Sequence, residues 1–329
     1  VLHNGGTMNN PEAAAWAAIT TLLDKADGCG ARGDSHAAAA HYGAALDQAS
    51  RLNQWPAGMA ERLAFARDTC TQYSAGYARH LQQHLQAAGF DPQRSSPRFI
   101  ESLEILLGRT RPYLQQPQLF YFPGLPAVAF HDAAQFPWVA QLEQASEAIR
   151  AEFTALISDP GLFTPMAPVP EGAAPAGAGL GTCYVWKEGK AIVPVAGRCP
   201  ETLRALAGAP LDHITDRSPS VAFSVLAPGA RIPPGTGLLN TRLTCQLPLV
   251  APGKCVLRVG NSVHEWRAGK ALLFDDTIEH EFLNDSAESC AVLMFDVWRP
   301  ELSADERELV TGLVKAIGSF SGITADLNA

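Results

Sequence analysis

The sequence predicts an α+β protein, a helical first third followed by a jelly-roll β domain, and a change of texture near residue 116 carries that expectation. From about Pro11 to Gln115 the chain is rich in Ala, Leu, Gln and Arg, with apolar residues recurring at three- and four-residue steps, the helical period. From Leu119 onward short apolar segments punctuated by Gly and Pro take over, the pattern of a β-sandwich or jelly roll. A length of 329 residues with 47% hydrophobic content suits about two domains. They are placed at 8–116 and 117–329.

Four helices are expected in the first region, at 11–25, 35–52, 57–88 and 96–114, with Pro56 and Pro97 near starts, where proline is tolerated. Gly33-Asp34-Ser35, Ala37 to Ala40, Tyr42 and Ala44-Ala45-Leu46 resemble part of one tetratricopeptide repeat. That leaves two readings open: a plain helical bundle, or a small helical array that docks a protein partner or substrate. In the second region Phe120-Tyr-Phe-Pro-Gly-Leu-Pro reads as a strand into a turn, and Phe136-Pro-Trp138 opens an amphipathic helix to about Ser158. Residues 165–181, rich in Pro, Ala and Gly, read as a loop that is a lid or disordered. Strands follow at 182–187, 220–227, 241–249, 254–260, 271–274, 279–284 and 290–298, and a last helix at 302–318. The residues before Met8 read as an appended leader.

A net charge of −8 and the lack of a basic cluster argue against nucleic acid as a partner. Apolar runs too short to span a bilayer argue against a membrane location. Seven cysteines, an odd number with no C-x-x-C pair, suggest free thiols in a reducing compartment, so a cytoplasmic protein is expected.

The chemistry-bearing stretch runs from Ser224 to Pro300. It contains Arg231-Ile-Pro-Pro-Gly235-Thr-Gly, Asn240-Thr-Arg-Leu-Thr-Cys-Gln246, Phe274-Asp-Asp-Thr-Ile-Glu-His280-Glu and Phe295-Asp-Val-Trp-Arg-Pro. With Tyr121-Phe-Pro-Gly-Leu-Pro, Tyr184-Val-Trp186-Lys and Arg198-Cys-Pro-Glu-Thr upstream, this succession resembles the aspartyl/asparaginyl β-hydroxylase family of iron(II)- and 2-oxoglutarate-dependent oxygenases. The resemblance covers residues 119–310 and implies a double-stranded β-helix, cupin-like domain.

It also implies a site with parts missing. The family holds its metal with two His, one in a Pro-Pro-His-Thr-Gly turn and one in an Asp-Asp-x-x-Glu-His-Glu strand. His280 matches the second, whereas the first falls on Gly235, a lost-ligand position. Of the serine, histidine and arginine that anchor 2-oxoglutarate, Ser224 matches the serine, but Gln246 and Cys290 stand at the other two positions. A thiol does not replace an arginine fork on a carboxylate. Arg242 matches an arginine that holds the substrate carboxylate, and Asp276 matches an aspartate beside the iron.

Read as residues, each has a plainer alternative. His280 and the Asp275-Asp276 pair are ordinary at a strand start and in a turn, Gly235 suits a turn, and Cys290 is either an inert buried thiol or a nucleophile paired with His280. Alternation places Arg242, Thr244 and Gln246 on one strand face, and Cys290, Val292 and Met294 on another, both toward the lumen. His264 is a remote candidate ligand on a hairpin edge.

Three functions are thereby set against one another. The first is an enzyme without cofactor that performs proton transfer, elimination or cyclisation on a carboxylate-bearing, amino-acid-derived small molecule or peptide. In it His280, Asp276 and Cys290 are catalytic candidates, and Ser224, Arg242, Gln246 and Trp186 bind substrate. The second is an active hydroxylase with Fe(II), 2-oxoglutarate and a rebuilt metal shell around His280. The third is a catalytically dead peptide- or metabolite-binding protein.

Overall fold

A computed structural model describes residues 11–52, 55–165, 181–214 and 216–321, and the chain divides into two compact units, Val1–Arg111 and Pro112–Ala329. The first unit contains α1 (Pro11–Ala31), α2 (Ser35–Ala49), α3 (Met59–Ala87) and α4 (Pro97–Leu106). Trp16, Ile19, Leu23 and Ala26 recur at the helical period on α1 and pack with Tyr42, Ala45 and Ala49 of α2 and with Leu63 and Ala66 of α3. The Asp34 side chain accepts a hydrogen bond from the Ala37 amide and caps α2. The helix expected to reach residue 114 stops at Leu106. Gly108 turns the chain at a φ of 66°, and Pro112 beyond it could not continue a helix.

The second unit is the β domain. In chain order it comprises β1 (Phe130–His131), α5 (Pro137–Gln144), α6 (Ser146–Ile157), β2 (Thr164–Pro165), β3 (Gly181–Lys187), β4 (Lys190–Ala191), α7 (Val193–Ala196) and α8 (Pro200–Leu206). There follow β5 (Val221–Leu226), β6 (Arg231–Gly235), β7 (Arg242–Val250), β8 (Cys255–Val259), β9 (Ser262–Glu265), β10 (Leu272–Phe274), β11 (His280–Asn284), β12 (Cys290–Trp298) and α9 (Ala304–Ser321). The loop expected at 165–181 falls mostly outside the described residues. The strand expected at Phe120 is a single bridge to Leu239, and the helix expected from Phe136 to Ser158 is broken into α5 and α6.

Antiparallel pairing builds two sheets, ordered β1-β10-β7-β12-β5-β3-β2 with β4 beside β3, and β6-β11-β8-β9. Strand alternation gives the large sheet two distinct faces. Phe223, Leu243, Cys245, Leu247, Leu293 and Phe295 point outward and are covered by Trp138, Leu142, Ile149 and Phe153 of α5 and α6. Fully burying each such Leu or Phe contributes about 1.5–3 kcal/mol. The opposite face meets the small sheet, and Leu226, Phe274, Cys290 and Val292 pack there against Cys255, Leu257, Val259 and Phe282. The domain is therefore a jelly roll with a lumen between its sheets, and the whole chain is α+β. No helix among the described residues is long and apolar enough to cross a membrane.

Strand β6 was not expected. Pro233-Pro234-Gly235 reads as a turn, yet these residues end β6. The two prolines are tolerated because β6 is an edge strand, where a missing N–H breaks no ladder. Gly235 is consequently a strand residue, and the turn-glycine reading is corrected.

Candidate functional site

β11 starts at the candidate site, and its register decides what faces what. His280 pairs directly with Gly235 of β6 on one side and with Val259 of β8 on the other. Directly opposed residues of antiparallel strands project to one face, about 4.5–5.5 Å apart at Cβ. A Cβ on Gly235 would meet no atom within 4 Å. The position opposite His280 is thus open space beside an imidazole.

The imidazole itself is well fixed. Phe274 and Phe282 stand edge-on to it with ring centroids 5.5 and 5.7 Å away. Its Nδ1 lies 3.2 Å from the Ile278 carbonyl oxygen. A carbonyl only accepts, so Nδ1 carries the proton and Nε2 keeps its lone pair. Burial pushes the His280 pKa down, so the ring is neutral near pH 7.

Around Arg242, the first residue of β7, lies a charge cluster. Its guanidinium is 2.9 Å from Asp296, 3.6 Å from Asp212 and 4.0 Å from Asp276. Asp296 also accepts a 2.8 Å hydrogen bond from Thr244. Burial opposes the arginine's charge, but the surrounding carboxylates outweigh it and raise its pKa. Gly237 is what admits Asp276: its amide donates to the Asp276 carbonyl at 2.7 Å, and a Cβ there would collide with the carboxylate. Beside the cluster, Asp275 anchors the turn between β10 and β11. It accepts from Thr277 and Gln115 and pairs with the fully buried Arg299.

The carboxylate-clamp role expected of Arg242 is corrected by this arrangement, because the protein's own aspartates already face the guanidinium. A substrate carboxylate would become the fourth anion around one cation. Sequence reasoning missed Asp212 and Asp296. Asp296 was within reach, since continuing the alternation Cys290, Val292, Met294 by two residues places it in the lumen. Asp212 sits in a loop after α8, and its sequence neighbourhood carries no signal.

Ser224 and Gln246 do face the lumen. Ser224 pairs with Thr182 and Val292, and Gln246 with Met294 and Leu272. The Ser224 and Thr182 hydroxyls and the Gln246 carbonyl oxygen are buried without a hydrogen-bond partner among the described residues. Trp186 is corrected: it packs against the helix-covered core outside the lumen, with its ring 6.1 Å from that of His213. His264 stacks on Phe130 at 4.0 Å.

Cys290 is also corrected. It is fully buried in the apolar cluster beside Cys255, and Cys255 pairs with Asn284, the far end of β11 from His280. Four residues of strand separate these ends by roughly 13 Å. Burial raises the thiol pKa further from the thiolate that a nucleophile needs. A Cys290–His280 pair does not form.

The donor set at His280 does not fit a ferrous centre. One imidazole faces a glycine, and a lone imidazole does not hold ferrous iron against water. At the cosubstrate's expected anchor, a buried thiol among apolar side chains offers a carboxylate nothing.

Asp212 and Asp276 have a consequence for stability. Burial pushes both carboxyls up to about 7, against the pull of Arg242. The folded state therefore binds protons that the unfolded chain has released, and these groups oppose folding increasingly as pH rises from about 4 to about 7. Asp212→Asn mimics the protonated form. Its stability relative to the parent protein is expected to rise between pH 5 and pH 8 in urea denaturation, and a constant or shrinking difference would contradict the burial effect.

The chain is similar to several known proteins. Residues 143–300 match the family model described as aspartyl/asparaginyl beta-hydroxylase. Aspartate beta-hydroxylase domain-containing protein 2 of Xenopus tropicalis is 33% identical over 211 residues, covering 62% of this chain and 56% of that protein. Aspartyl/asparaginyl beta-hydroxylase of Homo sapiens is 33% identical over 124 residues, covering 37% of this chain and 16% of that protein. The chain thus spans little more than half of the first relative and a small part of the second. A sugar phosphate isomerase of the cupin superfamily from Silicibacter pomeroyi covers 42% of this chain and 70% of its own, at 14% identity and a TM-score of 0.27.

Proposed function

The chain belongs, through residues 143–300, to the aspartyl/asparaginyl β-hydroxylase family, and from that premise we propose that its barrel performs proton transfer on an amino-acid-derived ligand without iron or 2-oxoglutarate. The observation that carries the proposal is the pairing of His280 with Gly235. It leaves a fixed, neutral imidazole with an available Nε2 and no second ligand beside it.

Such a group suits acid–base chemistry. Nε2 takes a proton from an acidified C–H of the ligand and returns it, while the Nδ1 bond to Ile278 holds ring and tautomer in place. Phe274 and Phe282 exclude water from its sides, which keeps the ring neutral and its lone pair unhydrated. Asp276 and Gln246 supply acceptors that orient the ligand.

Solvent exchange tests this across a panel of ligands. Amino acids and short peptides are incubated in D2O with the full chain or with His280→Gln, and deuterium at carbon is read by mass spectrometry. Incorporation into one chemical class is expected, with a loss of about 10²–10⁴-fold in the variant, the usual contribution of a positioned acid–base group. No incorporation, or equal incorporation by the variant, would overturn the proposal.

A further inference from the structure

Among the buried polar atoms lining the lumen, acceptor oxygens outnumber N–H donors, and the imbalance identifies what they accept. At the Arg242 end, where Asp212 stands 3.6 Å from the guanidinium, Oδ1 of Asp276 is buried without a hydrogen-bond donor among the described residues. Further along the same face, Gln246 Oε1 is in the same condition, although its residue is only 1% exposed. These are acceptors on carboxylates or an amide. Three aspartates against one arginine also leave the cluster short of positive charge whenever its carboxyls are ionised.

A buried acceptor without a donor is costly, more so when it is charged. Several in one lumen are retained together where a ligand supplies the donors. A carboxylate ligand brings none and adds like charge, whereas an ammonium brings three N–H donors and one positive charge, and its hydrogen bonds to carboxylates are charge-assisted. A divalent cation is disfavoured by the guanidinium in the middle of the cluster, which stands 2.9–4.0 Å from the same carboxylates.

We propose that the lumen binds a protonated amine, with the ammonium on Asp276 at the Arg242 end, and that Gln246 takes a second donor of the same ligand. Directly paired Thr182 and Ser224, one row deeper, present hydroxyls to the ligand's remaining polar end. The inference rests on the reading of the barrel as a ligand site and names the charge of the group that enters first.

A matched pair of four-carbon probes tests it, 1,4-diaminobutane and succinate. Each is added to the full chain at physiological salt while the barrel's thermal transition is followed, with magnesium chloride as a third arm. The diamine is expected to raise the transition saturably at millimolar concentration, with at least a tenfold weaker response in Asp276→Asn and a weaker one in Gln246→Leu. Succinate and magnesium are expected to do nothing. Stabilisation by succinate, by magnesium or by none of the three overturns the proposal, as does a diamine response unchanged in both variants. A succinate-binding lumen would leave the His280 exchange reaction standing, so the two readings fail separately.

Discussion

Arg242→Met is expected to destabilise the β domain by about 3–5 kcal/mol, the cost of removing one partner from a buried ion pair. For a domain of this size that is roughly 10 °C in the barrel's melting transition. The guanidinium is 1% exposed and is the group that the carboxylates of Asp212, Asp276 and Asp296 face. Methionine fills much of the same volume, so the loss is electrostatic rather than a cavity effect. The loss should also shrink as pH falls from 7 toward 5, because the aspartates left behind can take up protons. Arg242→Lys keeps the charge but not the planar fork and should fall between the two. A change under about 1 kcal/mol, or one independent of pH, would mean that the aspartates are not held by this arginine.

Gly235→His should have the opposite character, a gain of binding at little structural cost. The glycine is exposed on an edge strand, opposes His280 in register, and has open space where a side chain would grow. Two imidazoles on neighbouring strands can share a transition metal, and affinity should rise by about a hundredfold or more, beyond what even outer-shell partners of a metal contribute. Replacing the other missing group is a different matter. Cys290→Arg would put a guanidinium among Leu226, Phe282 and Cys255 with no carboxylate near it, a burial that costs several kcal/mol. Position 235 has room for a side chain, whereas position 290 is packed into the core.

Much of the fold was legible because strand alternation and Gly/Pro punctuation are local signals. Seven strands are recognisable that way. β6 was not, because two consecutive prolines speak against a strand unless it lies at a sheet edge, and edge position is a property of the assembled sheet. The same limit explains the site. His280 and Gly235 could be set opposite one another from the family's motif spacing, and the register agrees. The Cys290–His280 pair failed because both residues face the lumen but Cys290 of β12 lies by the end of β11 far from His280, a distance along the barrel axis that facing alone does not give. Arg242 is recognisable as lumen-facing and functional-looking, but its partners come from a loop, a turn and a neighbouring strand, 30 to 54 residues away in sequence. Trp186 was misplaced because a register irregularity between Tyr184 and Trp186 breaks the alternation that would have set its face.

The account stands on the glycine across from His280, and metal titration addresses it directly. Anaerobic calorimetry of ferrous or manganous ion into the full chain and into Gly235→His should give no saturable binding for the former and one site per chain for the latter. One tightly held ion per chain in the unaltered protein, lost in His280→Gln, with succinate released from 2-oxoglutarate, would contradict the account.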